Sequence, residues 1–348
     1  MIQKTPKGTM GKTSIYTIAG LLVTAALLAG GYAWFARTFP SQPAGPLEQL
    51  TIATYTEYAG SCPILVAQEK GYFPSEGILA EIQPHTSGKA ALEAVLQGKA
   101  DLGTSADLPI MFAALYGRPV SVVATIFSTE TDHGIVGRRD RGIVVPASLK
   151  GKRIGVTLGT SGQFLLDAFL NRQKLSSSEV KTLNLKPGEL SAALVQGDVD
   201  AVATWEPVLS TSLVQLGGNG TIFFGEGVYN VLFNVSGTQD YVIKHPDTMK
   251  KFLRALIRGA KFCTEAPDAA REITAKAMKT NVAKLKEFWP SYRFNVVLDQ
   301  SLILALEDEA RWAIKNKLTD RTDMPNYLNH VYLDALRSVT PSAVTIIH

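Results

Sequence analysis

A short motif that occurs twice, about a hundred residues apart, most limits what this chain can fold into. The sequence LQGKAD at 96–101 returns as VQGDVD at 195–200. In the same register, Ser105 corresponds to Thr204. This repeat predicts two lobes built on one plan, whose equivalent strand ends face each other across a ligand site.

Strand and helix patterns alternate along both copies of the repeat. Between most of the strand patterns lie apolar segments with helical spacing, such as 87–98 and 161–173. This alternation predicts an α/β fold with mainly parallel sheets and helices on both faces, in which ligands bind beyond the carboxyl ends of the strands. The strand patterns occur at 50–55, 79–85, 101–105, 120–127, 153–157, 180–185 and 200–205.

From Gly225 onward the pattern changes. One more strand is predicted at 228–235, and the rest is almost entirely helical, with an apolar face on the helix at 299–316. Because helices alone cannot form a third lobe of this type, we expect them to pack on the first lobe. The chain then crosses between the lobes near 137–143 and 225–232, and two such crossings form a hinge that closes around a ligand.

The N-terminal part contains an apolar, uncharged segment at 13–36. At about 1.5 Å per residue it is long enough to span a bilayer as a helix. Three lysines precede it and one arginine follows closely, which places the N-terminus in the cytoplasm and the remainder on the periplasmic side of a bacterial inner membrane. A secretory peptide that is cleaved, leaving the protein in the periplasm, is the alternative.

These patterns give a complete division of the chain. The predicted segments are a cytoplasmic tail at 1–12, a transmembrane anchor or uncleaved signal at 13–36, a linker at 37–49, the first part of lobe one at 50–137, lobe two at 143–225 and the helical part of lobe one at 232–348.

Charge and cysteine content exclude several classes of function. The 348 residues carry a formal net charge of +4 without a basic run past residue 50, so nucleic-acid binding has no electrostatic support. Cys62 and Cys263 are too few for a disulfide framework and lack metal-ligand spacing. We expect them to be small buried residues rather than a bridge, although an oxidising compartment permits one.

A Gly/Thr/Ser turn opens the helix predicted at 161–173, and a similar turn at Gly60-Ser61 opens the first helix. Backbone N–H groups at a helix N-terminus lack intrahelical partners and attract anions. An ordinary helix cap is the alternative at both turns, and packing is the alternative for a cysteine. The candidate anion-binding residues are Thr160, Ser161 and Gly162, with Ser61 and Cys62 as their counterparts in lobe one.

Residues after other strand ends are candidates for lining the cleft. Asp107, which corresponds to Glu206 in the repeat, is either a ligand contact or a helix N-cap. The Trp205 indole can cover an apolar or cationic part of a ligand, and Glu206 can accept from an amine. The alternative is a buried tryptophan followed by a capping glutamate. The remaining candidates are Tyr55, Glu57, Tyr58, Ser105 and Tyr229.

Anion donors and acids together favour a zwitterionic ligand. The helix N-terminus at Ser161 would hold the acidic end. Glu57, Asp107 and Glu206 would hold an ammonium group. We therefore expect an aminosulfonate such as taurine to fit better than bare nitrate.

Four segments with the right order and spacing carry a family resemblance: AQEKGYF at 67–73, QGKAD at 97–101, LKGKRIGV at 149–156 and GDVDAVATWEP at 197–207. With them the chain resembles the solute-binding proteins of ABC importers, in the SsuA/THI5-like branch for nitrate, aliphatic sulfonates, taurine and thiamine pyrimidine precursors. The resemblance implies a type II periplasmic-binding fold and delivery of a small anionic or zwitterionic solute to an ABC permease and ATPase. The likeness spans about residues 50–265.

Neither catalysis, a metal site nor a cofactor is predicted, and the chain is expected to act as a monomer. The five histidines are scattered, without His-x-x-His or Cys/His spacing. His85 and His133 approach the predicted cleft, but a lone histidine is more often structural. The related enzyme branch that makes the thiamine pyrimidine carries a cysteine-rich motif without a counterpart in this sequence. A membrane-tethered ligand sensor is a further hypothesis.

Overall fold

The structure is a computed structural model that describes Met1, residues 46–225 and residues 227–347. The predicted anchor at 13–36 and most of the segments beside it lie outside the described residues. Among the residues described, no helix is both long and apolar enough to cross a membrane. From residue 46 onward the chain forms two five-stranded sheets covered by helices, which confirms the α/β fold class.

The first lobe begins with strands and helices in alternation. Its second long helix starts at Ser87, whose hydroxyl accepts from the backbone N of Ala90 at 3.2 Å as an N-cap. In chain order the elements are β1 (Glu48–Thr54), α1 (Cys62–Glu69), α2 (Tyr72–Ser75), β2 (Ile78–Pro84), α3 (Gly88–Leu96), β3 (Leu102–Ala106), α4 (Asp107–Leu115) and β4 (Val120–Thr129).

The second lobe repeats this alternation. Its second α-helix, Pro187–Gln196, ends at Gly197, where a φ of 86° favours glycine. In chain order the elements are β5 (His133–Arg138), β6 (Arg153–Val156), α5 (Ser161–Arg172), β7 (Lys181–Asn184), α6 (Pro187–Gln196), β8 (Ala201–Trp205), α7 (Val208–Leu216) and β9 (Gly220–Phe224).

The rest of the chain returns to the first lobe. One strand enters the first sheet and the following helices pack around it, with Leu302, Leu306 and Ala310 buried in the same core as β1 and β4. The elements are β10 (Val231–Thr238), α8 (Gln239–Lys244), α9 (Pro246–Glu265), α10 (Pro267–Met278), α11 (Val282–Phe288), α12 (Gln300–Lys315) and α13 (Asp334–Val339).

The two sheets have the same strand order, β2-β1-β3-β10-β4 in the first and β7-β6-β8-β5-β9 in the second. In each, four of the five strands run in the same direction, and one runs antiparallel to both of its neighbours. The antiparallel strands, β10 and β5, are those that enter from the other lobe. The sheets are therefore mixed, where the sequence predicted mainly parallel sheets.

The first crossing lies earlier than predicted. The strand β5 pairs with β8 and β9, so it belongs to the second sheet, whereas the sequence analysis assigned residues up to 137 to lobe one. The chain crosses at 130–132, not at 137–143. The short HGIVGR segment was not recognised as a strand because its two glycines weaken the β pattern.

The repeated motif has the same structural role in both lobes. The Asp101 carboxylate accepts from the backbone N of Thr51 on β1 at 2.8 Å. The Asp200 carboxylate accepts from the backbone N of Arg153 on β6 at 2.9 Å. Each aspartate therefore holds the first strand of its sheet beside the third, so the sequence repeat reflects a repeated tertiary contact.

The two cysteines form a disulfide, so the expectation of two unbridged buried cysteines is wrong. Cys62 begins α1 and Cys263 lies on α9, and both side chains are fully buried. The two helices pack so closely that a Cβ at Gly259 would lie 2.1 Å from the carbonyl oxygen of Pro63. The bridge ties the C-terminal helices to the first lobe.

Candidate functional site

A pocket lies between the two lobes at the carboxyl ends of β1, β3 and β8. About 360 Å³ of space, part of it open to solvent, lies among its lining residues. Among the described residues that line it, none is an aspartate or a glutamate. The lining consists of Tyr55, Tyr58, Ser87, Gly88, Lys89, Ala106, Pro109, His133, Thr160, Ser161, Trp205, Val231 and Phe233.

The N-terminus of α5 reaches this pocket without a side-chain cap. Thr160, in the N-cap position, donates its hydroxyl to the carbonyl oxygen of Thr157 at 2.7 Å instead of accepting from the first helical turn. Thr160 and Ser161 both line the pocket, and the helix dipole adds positive charge there. The Thr160 side chain therefore does not form the ordinary helix cap that was the alternative.

Ser161, His133 and Asp132 form a buried chain of hydrogen bonds. The Ser161 Oγ lies 2.8 Å from His133 Nε2, and His133 Nδ1 lies 2.6 Å from Asp132 Oδ1. Tyr58, from lobe one, donates its hydroxyl to the other carboxylate oxygen of Asp132 at 2.6 Å. Because Asp132 lies on the first crossing, this chain links both lobes through the hinge.

Aromatic rings supply most of the apolar lining. Tyr55 and Tyr58 stack with ring centroids 6.0 Å apart, and the Trp205 ring lies 5.9 Å from that of His133. Burial, followed by the nearby Glu57 carboxylate, raises the pKa of Tyr55 to about 12. Its phenol therefore stays neutral and the lining presents an uncharged aromatic surface to a ligand.

Lys89 crosses the cleft from α3 in lobe one to lobe two. Its Nζ donates to the carbonyl oxygen of Leu158, in the turn before α5, at 2.9 Å. Lys89 and Pro109 also line a second cavity of about 870 Å³, which includes Leu92, Phe112 and other apolar residues. The ammonium group thus lies between the two cavities and joins the lobes.

A buried carboxyl pair holds the second crossing. Tyr229 donates its hydroxyl to Asp107 and approaches Glu309 Oε1 at 3.3 Å, while Asp107 accepts from the backbone N of Leu232. Burial raises the pKa of Asp107 to about 6. Burial and the neighbouring Asp107 carboxylate raise the pKa of Glu309 well above its ordinary range. The pair of carboxyls at the second crossing therefore tends to retain a proton near neutral pH.

The profile of the NMT1/THI5 like family matches residues 59–270. This chain belongs to the NMT1/THI5-like family. The matched region contains the lining residues of both lobes apart from Tyr55 and Tyr58.

Curated relatives of this NMT1/THI5-like chain carry the names of binding proteins and of a synthase. A Bacillus subtilis protein named as an aliphatic sulfonates-binding protein is 26% identical over 284 residues, covering 78% of this chain and 83% of the relative. A Brucella abortus protein named as a binding protein is 28% identical over 241 residues, covering 66% and 72%. The 4-amino-5-hydroxymethyl-2-methylpyrimidine phosphate synthase of Legionella pneumophila is 26% identical over 227 residues, covering 62% and 69%.

Among solved structures, the alkanesulfonate-binding protein of Xanthomonas axonopodis pv. citri bound to MOPS is similar, with a TM-score of 0.71. The two chains are 22% identical, and the match covers 83% of this chain and 100% of that one. This likeness confirms the periplasmic-binding fold that the family resemblance implied.

The structure brings several of the predicted site residues together in the pocket between the lobes. They are Tyr55, Tyr58, Thr160, Ser161 and Trp205. Gly162 lies beside them in the first turn of α5, where a Cβ would meet the Ala203 carbonyl oxygen at 3.2 Å and the Trp205 ring at 3.5 Å. A side chain at this position would therefore crowd the turn against the indole.

Glu206 lies outside the lining and has the capping role that was the alternative. Its carboxylate accepts from the backbone N and the hydroxyl of Ser210 in the first turn of α7, at 3.2 and 2.8 Å. Burial raises the pKa of Glu206 to about 7. Asp107 and Tyr229 are likewise engaged with each other at the second crossing.

Four other lobe-one candidates also lie outside the lining. Ser61 donates its hydroxyl to the Tyr55 carbonyl oxygen at 2.8 Å, and Cys62 is held in the disulfide. Ser105 is buried with an unpartnered hydroxyl, and the Glu57 side chain is exposed. The two turns are therefore not equivalent, because the turn of lobe one is closed by its own hydrogen bonds.

Sequence reasoning missed Lys89 and treated His133 as a structural histidine. Lys89 is on an exposed helix position, and only the tertiary arrangement brings its ammonium to Leu158. The available signal for His133 was its neighbour, since Asp132 next to a histidine near a lobe crossing offers a carboxylate partner.

Proposed function

We propose that this chain is an extracytoplasmic solute-binding protein that captures a small organic sulfonate by closure of its two lobes and delivers it to an ABC permease and ATPase. The observation that carries the proposal is the α5 N-terminus, which lacks a side-chain cap and presents Ser161 to a pocket whose described lining residues include no carboxylate. Helix N-termini and hydroxyls donate to sulfonate oxygens as they do to other oxyanions. The names of the relatives support the same ligand class.

The rest of the lining supports an organic anion. The rings of Tyr55, Tyr58 and Trp205 offer an apolar surface that bare nitrate does not use. A zwitterionic ligand is less favoured than the sequence predicted, because Glu57, Asp107 and Glu206 lie outside the described lining. We therefore favour an alkyl or aryl sulfonate over taurine, whose ammonium group would lose water without gaining a partner.

The disulfide supports the extracytoplasmic location. Bridges persist in oxidising compartments such as the bacterial periplasm and are rare in the cytoplasm. We retain the segment at 13–36 as the anchor or signal that would place the lobes there. Binding proteins among the relatives favour a non-enzymatic role.

A thermal-shift series tests the ligand class. At a concentration about a hundred times its dissociation constant, an alkanesulfonate is expected to raise the melting temperature by about 4 °C, because a ligand that binds only the folded chain stabilises it. Taurine and nitrate at the same concentration are expected to give smaller shifts. A shift with nitrate or with a thiamine pyrimidine precursor, and none with any sulfonate, would support the alternative ligands of the family and overturn the proposal.

Closure of the lobes is tested at Lys89. The Lys89→Met variant keeps the length of the side chain but removes the ammonium group that donates to Leu158 across the cleft. We expect sulfonate affinity to fall about tenfold, since a charge-assisted hydrogen bond of the closed form is lost. Calorimetry measures the change, and Lys99→Met, at an exposed position of the same lobe, serves as control. Equal affinities for the two variants would contradict a role for Lys89 in closure.

A further inference from the structure

The hydrogen-bond chain at the hinge fixes where the proton of Ser161 goes. Asp132 accepts from Tyr58 with one oxygen and contacts His133 Nδ1 with the other, so an ionised Asp132 accepts from the tautomer of His133 that carries its proton on Nδ1. A neutral imidazole then has only a lone pair at Nε2. Ser161 has a single proton and must donate it to that nitrogen.

In this state the Ser161 hydroxyl binds an anion poorly. With its proton directed at His133, the Ser161 oxygen presents lone pairs to the pocket. An anion needs a donor at this position, and its oxygens repel those lone pairs. When the Asp132–His133 pair takes up a second proton, the hydrogen bond between His133 and Ser161 changes direction. The Nε2–H group then donates to the Ser161 oxygen, and the hydroxyl proton is free for the ligand.

We propose, resting on the function proposed above, that the site takes up its anion together with one proton, and that His133 is the positioning residue that converts Ser161 into a donor. The bound state then contains a carboxylate, an imidazolium and an anion in a buried row. Asp132 compensates the imidazolium, and the imidazolium compensates the ligand charge. Affinity for a permanent anion consequently rises as the pH falls, by at most about tenfold per pH unit.

Other titratable groups face this pair from several elements. Burial raises the pKa values of the three tyrosines among them well above the ordinary range, so they stay neutral. Burial raises the pKa of Glu206 to about 7 and that of Asp107 to about 6, so these two carboxyls titrate in the range of interest and need variants of their own. The groups are Tyr58, Tyr229, Tyr292, Glu206, Asp107, Glu309 and, at the mouth, Lys89.

Calorimetry with ethanesulfonate tests the coupling, because this probe keeps one negative charge between pH 5.5 and 9. Titrations in buffers of different ionisation enthalpy report the protons taken up on binding. The expected uptake reaches more than about half a proton per ethanesulfonate within this range, where imidazoles exchange protons, and affinity falls with rising pH in the same interval. Binding with less than about 0.2 proton throughout would overturn the proposal while leaving the function proposed above intact. No binding at any pH would overturn both.

The Asp132→Asn variant separates the relay from other charges. An amide at this position donates to His133 Nδ1 and still accepts from Tyr58, so Nε2 carries the only imidazole proton and Ser161 is a donor at every pH. We expect ethanesulfonate binding to persist with the proton uptake reduced to near zero. The variants Glu206→Gln and Asp107→Asn, and the exposed His245→Gln as control, are expected to keep the uptake.

One outcome would overturn the relay even if uptake is measured. It is loss of the uptake in Glu206→Gln or Asp107→Asn, since the proton would then belong to a carboxyl.

Discussion

Replacing Ser161 by alanine is expected to weaken alkanesulfonate binding about fiftyfold, because the variant loses a hydrogen bond to a charged group, which contributes about 2.3 kcal/mol. The hydroxyl lines the pocket at the first turn of α5 and is only 5% exposed, so water replaces it poorly. Alanine favours the helix, and α5 is expected to remain folded. Calorimetry at pH 6 measures the loss.

Ser212→Ala provides a matched control for this variant. Ser212 is buried on α7 in the same lobe, and its hydroxyl has no hydrogen-bond partner. Its removal breaks no hydrogen bond and takes away no ligand donor, so affinity should stay within about twofold of the wild type. If Ser161→Ala also stays within about threefold, the anion does not lie at the α5 N-terminus and the proposed site is wrong.

The repeat at 96–101 and 195–200 predicted the architecture because it encodes a tertiary contact. Each copy ends a helix and supplies an aspartate that holds the first strand of its sheet. Two lobes of the same strand order follow from this equivalence. The sequence did not reveal which strands change sheets, since β5 is short and glycine-rich and its partners β8 and β9 are distant along the chain.

The positions of some lining residues could be predicted where local sequence defines them. Thr160 and Ser161 lie at a helix N-terminus that local sequence defines, and Trp205 ends a strand that leads to the same edge. His133 could not be assigned a role in this way. Its place in the site arises from the start of β5, which brings Asp132 and His133 to Ser161, 28 residues further along the chain.

The acidic candidates failed to join the pocket for a related physical reason. Buried carboxyls need donors, and nearer donors were available to each of them. Glu206 accepts from Ser210, and Asp107 accepts from Tyr229. Sequence position alone does not tell whether a carboxylate after a strand end faces a ligand or accepts from nearby protein donors. Here Glu206 satisfies the next helix, and Asp107 accepts from Tyr229 at the second crossing.

The disulfide is expected to dominate the stability of the chain. Cys62 and Cys263 are 201 residues apart, so the bridge closes a loop that contains lobe two and part of lobe one. For a loop of this length, restriction of the unfolded chain is expected to contribute about 5 kcal/mol. The double variant Cys62→Ala/Cys263→Ala should therefore melt about 8 °C lower than the wild type, because both positions are in the core and alanine fits without new polar groups.

Chemical reduction distinguishes the stabilising effect of the covalent bridge from that of the packing of the sulfur atoms. Melted with a phosphine reductant, the wild type should lose as much stability as the double variant, whereas the double variant should be unaffected. Because the bridge joins α1 to α9 within lobe one and does not touch the pocket, ethanesulfonate should produce the same thermal shift in both proteins. Equal melting temperatures for the oxidised wild type and the double variant would contradict a stabilising bridge. A lost ligand shift would show instead that the bridge also holds Tyr55 and Tyr58, which precede Cys62 directly, in the geometry of the site.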